Sequence, residues 1–126
     1  MATASVKGKR ILVAEDETAY ARALTLKLQR SGFEVETVGD GEAAIAALQK
    51  SSFALLMLDL IMPKKDGFAV LEELKKSGKK MPVIVLSNLG QAEDEEKAKA
   101  LGATDFLGKA NTSIAEVIEK VTAALH

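Results

Sequence analysis

Three carboxylates, a hydroxyl and an ammonium group stand at the ends of short apolar runs: Glu15 and Asp16 after residues 10–14, Asp59 after 53–58, Ser87 after 82–86 and Lys109 after 104–107. If those runs are strands of one parallel sheet, all of these side chains open on the same rim. Like charges ~4 Å apart repel by ~4 kcal/mol at an effective dielectric of ~20, so three carboxylates in one cleft need a cation or a shared proton. An all-oxygen donor set with little rigid caging suits Mg²⁺, whose open coordination positions favour a phosphate oxygen. Lys109 then adds a point charge, and Ser87 a hydrogen-bond donor, for the same anion.

The elements that must carry these groups are legible as alternating patterns. Residues 10–14 run apolar after Arg10, and 53–58 and 82–86 are apolar throughout, as strands covered on both faces must be; 104–107 is a further candidate. Residues 33–38 alternate, with Phe33, Val35 and Thr37 expected inward and Glu34 and Glu36 outward, as in an edge strand. Helical spacing fills the gaps. Residues 17–30 place Tyr20, Leu24 and Leu28 on one face and stop at Gly32; residues 41–50 follow an Asp40 cap; residues 67–76 group Phe68, Leu71 and Leu74 before Gly78. Near 113–125, Ile114, Val117, Ile118, Val121 and Leu125 form one stripe, and Ser113 with Glu116 makes a capping box. The helix near 91–101 offers little more than alanines for burial and runs acidic from Glu93 to Glu96, so loose packing is expected. Strict βα alternation with short links implies right-handed crossovers and a doubly wound α/β sandwich, whose ligand site lies outside the carboxyl ends of the strands.

Composition removes other chemistries. The 126 residues suit one domain, 1–126, with residues 1–8 expected to form a flexible tail. Net charge is −1, so no global field draws the chain to nucleic acid or an anionic membrane. There is no cysteine, and the single histidine is His126, which excludes disulfides, thiolate catalysis, a Cys/His zinc site and a Ser-His-Asp triad. The small, polar opening residues and the lack of any long apolar run lead to the expectation of a cytoplasmic protein. Lys75, Lys76, Lys79 and Lys80 have no interleaved aromatics and read as a solvated helix end.

Four segments in register resemble the receiver domains of two-component response regulators: Ile-Leu-Val-Ala-Glu-Asp-Glu at 11–17, Leu-Asp-Leu-Ile-Met-Pro-Lys-Lys-Asp-Gly at 58–67, Pro-Val-Ile-Val-Leu-Ser at 82–87 and Gly-Ala-Thr-Asp-Phe-Leu-Gly-Lys at 102–109. The resemblance implies a flavodoxin-like (βα)5 fold with strand order 2-1-3-4-5. It also implies that Asp59 takes a phosphoryl group from a histidine kinase or a histidine phosphotransfer protein. Glu15, Asp16, Asp59 and the backbone carbonyl of Ile61 would hold Mg²⁺, Lys109 would pair with the phosphate, and Ser87 and Phe106 would form the switch. Output would pass to a protein target through the fourth helix, fifth strand and fifth helix, with no direct contact to nucleic acid or membrane. Catalysis would be confined to the chain's own phosphorylation and dephosphorylation.

The chain departs from that pattern at several points. Ala110 stands where a proline preceded by a cis bond is usual; because a cis bond before a non-proline residue costs ~2.5–4 kcal/mol, trans is expected. Glu15 is one methylene longer than the usual aspartate, Ser87 lacks a threonine methyl, and Phe106 lacks a tyrosine hydroxyl, which together loosen the expected coupling. The resemblance implies that the positions two residues beyond Asp59 and Ser87 line the path of the hydrolytic water. Here they are Ile61 and Leu89, which are apolar and cannot orient it, so the phosphorylated state is expected to live long. The rival reading is a receiver-like interaction module that acts largely independently of phosphorylation. A haloacid-dehalogenase-like phosphohydrolase would need an acid where Ile61 stands and a cap insertion, and a flavin or nucleotide binder would need a first loop less acidic than residues 15–17.

Overall fold

A computed structural model describes residues 8–88 and 92–125. Strands β1 (Arg10–Ala14), β2 (Glu34–Val38), β3 (Leu55–Asp59), β4 (Val83–Ser87) and β5 (Asp105–Gly108) form one parallel sheet in the order β2-β1-β3-β4-β5. They alternate with helices α1 (Thr18–Arg30), α2 (Gly41–Lys50), α3 (Gly67–Ser77), α4 (Ala92–Ala100) and α5 (Ile114–Ala124). This is the flavodoxin-like doubly wound sandwich expected from the sequence.

The inner strands are continuous apolar runs because both of their faces are covered: every residue of β3 and β4 is buried, and β1 is buried from Ile11 onward. The two-residue strand period then divides the interior. Leu12, Leu56, Leu58, Val83 and Val85 join Ala44 and Leu48 of α2, Val70, Leu71 and Leu74 of α3, and Ala98 of α4. Ile11, Val13, Leu55, Met57, Ile84 and Leu86 join Leu24 and Leu28 of α1 with Val117 and Val121 of α5. The α5 stripe and its Ser113–Glu116 capping box form as expected, and Asp40 caps α2 by accepting from the Ala43 N–H at 2.7 Å. As its acidic composition implied, α4 buries only Ala98 among its side chains.

Some local readings change. Phe33, just before β2, is buried and Val35 half-buried, but Thr37 on the same face is exposed, because it borders an open cleft lined by Ala21, Arg22 and Thr25 of α1. Gly8 donates its N–H to the Gly32 carbonyl at 2.9 Å, so the expected tail loses its last residue; residues 1–7 lie outside the described ones. Lys79, read as a solvated lysine, instead donates from Nζ to the Leu48 carbonyl and ties the end of α3 to α2. The loop after Asp59 owes its left-handed turn to Lys64, at φ 69°, and not to Gly67. Gly67 is required for space: a Cβ there would lie 2.5 Å from the Asp59 carbonyl oxygen. Asp66 caps α3 through the Ala69 N–H at 2.9 Å, which holds this close approach in place.

Candidate functional site

The site groups hang from the strand ends, where the sheet's register brings them level. Asp59 and Ser87 are the last residues of β3 and β4, and Asp59 lies beside Leu86 while Ser87 lies beside Gly108. Backbone pairing runs one residue further at both remaining positions. The Glu15 N–H donates to the Val38 carbonyl at 3.0 Å, and the Lys109 N–H donates to the Ser87 carbonyl at 2.9 Å. Glu15 and Lys109 are thereby fixed by the sheet, although each stands outside a regular strand. The Lys109–Ala110 bond is trans, as expected, and Lys109 still reaches the centre of the rim.

Lys109 Nζ lies 2.6 Å from Glu15 Oε1, 2.8 Å from Glu17 Oε1 and 3.1 Å from Asp59 Oδ2. The side chains of Lys109, Glu15 and Asp59 are 6%, 3% and 6% exposed, so this contact is nearly dry, whereas Glu17 is 54% exposed. The two buried carboxylates divide their oxygens in the same way. Glu15 Oε2 accepts from the Glu17 N–H at 2.9 Å and Asp59 Oδ1 from the Ile61 N–H at 3.2 Å, leaving the other oxygen of each to Lys109. The ammonium also lies over the Tyr20 ring, with the ring centroid 4.8 Å from Nζ.

One ammonium cannot balance this much negative charge, and the protonation states reflect it. Burial, against the pull of Lys109 and helped by the Asp59 charge, pushes the Glu15 carboxyl up to about 7. Burial acts to lower the Lys109 ammonium, but hydrogen bonds to Glu15 and Glu17 and the nearby carboxylate charges outweigh it and hold the group above its ordinary value. Glu17 is lowered by its hydrogen bond to Lys109. A carboxylate cluster remains whose oxygens, from Glu15, Glu17 and Asp59, lie within 4.8 Å of one another. Its hard, all-oxygen donors suit a divalent cation such as magnesium.

Of the residues singled out in the sequence, the structure brings Glu15, Asp59 and Lys109 into mutual contact. Asp16 is exposed and lines a cleft of about 140 Å³ together with Glu17, Asp59, Ile61 and Asn88. Ile61 is 56% exposed. Ser87 is fully buried. Phe106 is half-buried on β5 and packs against the core on the α2, α3 and α4 side. Leu89 lies outside the described residues. Glu17, Tyr20 and Asn88 were not assigned to the site in advance. Glu17 has only its acidity to mark it, helical spacing marks Tyr20 as core, and the signal for Asn88 is its place directly after Ser87.

Residues 11–122 match the family described as the response regulator receiver domain. The chain belongs to the receiver domain family of response regulators. Its fold superimposes on the receiver domain of the Francisella response regulator 1452 with a TM-score of 0.89 at 29% identity, covering 94% of this chain and 97% of that one. The phosphorylated cyanobacterial phytochrome response regulator RcpA aligns with a TM-score of 0.80 at 31% identity, covering 92% of this chain and 90% of that one. Among curated proteins, the probable transcriptional regulator ycf27 of Cyanophora paradoxa is 39% identical over 104 residues, which is 82% of this chain and 43% of that protein. The receiver chain thus spans less than half the length of the curated relatives it matches. Among the described residues of this receiver domain, no helix is long and apolar enough to cross a membrane.

Proposed function

We propose that this receiver domain takes a phosphoryl group on Asp59 from the phosphohistidine of a kinase or phosphotransfer protein. In the transfer, an Asp59 carboxylate oxygen forms the new O–P bond. The donor's P–N bond breaks, and its electron pair returns to the imidazole nitrogen. The observation that carries this reading is the nearly dry contact of one ammonium with two buried carboxylates, which places Lys109 3.1 Å from the proposed acceptor. Lys109 is charged at neutral pH and offsets charge building on the transferred oxygens. Glu15, Asp16, Asp59 and the carbonyl of Ile61 are the proposed holders of Mg²⁺, with Glu17 added by its place in the carboxylate cluster. A bound magnesium ion supplies charge neutralisation and orientation at the phosphoryl oxygens.

Ser87 serves as the hydroxyl that follows the phosphoryl group, and Phe106, half-buried on the neighbouring strand, as the aromatic that moves with it. The weakly anchored α4, with β5 and α5, then presents the changed surface to a protein target. Residues 1–126 act as one receiver unit in the cytoplasm, with no catalysis beyond the chain's own phosphorylation and dephosphorylation. The apolar residues Ile61 and Leu89 favour slow hydrolysis, which decay of the phosphorylated species would measure directly. Incubation with acetyl phosphate and Mg²⁺, followed by intact-mass measurement, tests the assignment. The parent is expected to gain one phosphoryl group and Asp59→Asn none; equal labelling of both would refute it.

A further inference from the structure

Tyr20 is the only tyrosine of the chain, and it stands in the first turn of α1. Its ring packs against the core cluster shared by α1 and α5, and the Lys109 ammonium lies over it at 4.8 Å from the centroid. Its hydroxyl is buried and meets no hydrogen-bond partner among the described residues. A buried hydroxyl without a partner does nothing to hold a side chain in place. The ring contacts, to the core and to Lys109, are therefore what fix this residue.

An ammonium has three N–H bonds to give. In Lys109 carboxylate contacts take them all, through Glu15, Glu17 and Asp59. A phosphoryl group arriving on Asp59 can be paired only if Lys109 exchanges one or more of these bonds. During that exchange a hydrogen-bonding neighbour would compete for the freed N–H, whereas an aromatic face attracts the charge without taking a proton. We propose that Tyr20 is a positioning residue for phosphoryl transfer, its ring face holding the Lys109 ammonium beside Asp59 while the N–H bonds pass from carboxylates to phosphoryl oxygens. This rests on the reading of Asp59 as acceptor.

The test uses the full chain with acetyl phosphate and Mg²⁺, following phosphorylation rate by intact mass for the parent, Tyr20→Phe, Tyr20→Leu and a series carrying fluorinated phenylalanines at position 20. Tyr20→Phe is expected to keep the parent rate and Tyr20→Leu to lose about fivefold, equivalent to ~1 kcal/mol. The fluorinated series should slow stepwise as the ring face loses electron density at nearly constant size, which a purely structural role would not produce. That series also carries the test if Tyr20→Leu does not fold. A flat series, or a phenylalanine variant as slow as the leucine one, would overturn the proposal. Lys109 side-chain proton shifts in the unphosphorylated protein read the contact independently: upfield displacement is expected in the parent and Tyr20→Phe, and its absence would also overturn the proposal. If the shifts behave as expected but the parent gains no phosphoryl mass, the acceptor assignment fails and takes the proposed role of the ring with it.

Discussion

Replacing Asp59 by asparagine keeps the shape of the side chain and its Oδ1 acceptor for the Ile61 N–H, and deletes its charge. At an effective dielectric of ~20, Lys109 at 3.1 Å returns ~5 kcal/mol to the Asp59 carboxylate. Glu15, with an oxygen within 4.8 Å, takes back at least ~3.5 kcal/mol when charged. Glu17 is half-exposed and adds at most ~1 kcal/mol after solvent screening. Attraction and repulsion nearly cancel, and what remains is the desolvation of a carboxylate left 6% exposed, which costs several kcal/mol. At about pH 8, above the Glu15 value of about 7, Asp59→Asn is therefore expected to be more stable than the parent by about 1–3 kcal/mol when metal is chelated. Urea unfolding in EDTA followed by far-ultraviolet circular dichroism measures this as a higher midpoint at unchanged slope. Added Mg²⁺ should raise the parent's midpoint more than the variant's and narrow the gap. A variant midpoint at or below the parent's in EDTA would refute the claim that the acceptor carboxylate is held at a cost.

Glu15 supplies a pH dependence of definite sign. Its carboxyl is raised from 4.5 to about 7, so the native state keeps a proton that the unfolded chain has released. The corresponding stability is fully present below about 4.5 and is lost as pH rises through about 7. In EDTA the parent should lose about 2–3 kcal/mol relative to Glu15→Gln across that window, and a pH-independent difference would show that Lys109 cancels the burial. Gly67→Ala would ordinarily favour a helix by up to ~1 kcal/mol. Here the new methyl meets the Asp59 carbonyl oxygen at 2.5 Å and the Leu60 Cα at 2.8 Å, both backbone atoms. A loss of about 2 kcal/mol or more and slower phosphorylation are expected, and an increased melting temperature would contradict the packing.

What could be read in advance followed from periodicity and from where it stopped. The buried strands announce themselves as unbroken apolar runs, and their polar terminators Glu15, Asp59 and Ser87 converge because the sheet is parallel and in register. Lys109 shares that logic through its backbone bond to the Ser87 carbonyl. Glu17 could not be read the same way, because its part depends on how far a flexible, half-exposed side chain reaches across to another loop. Tyr20 satisfies the helical stripe of α1 and the lysine at once, and spacing reveals only the first of these roles. Thr37 obeys strand alternation yet faces solvent, since alternation does not say whether anything covers an edge. Gly67 owes its place to a clearance that only tertiary contact defines, while the left-handed turn of the same loop belongs to Lys64.

The single methyl by which α4 is rooted in the interior has a consequence for how such a module diversifies. Because the outward positions of this helix contribute almost nothing to the stability of the sandwich, they are free to be rewritten one at a time without the core noticing. A lineage can thereby change the company its receiver keeps while leaving the chemistry at the carboxyl ends of the strands untouched.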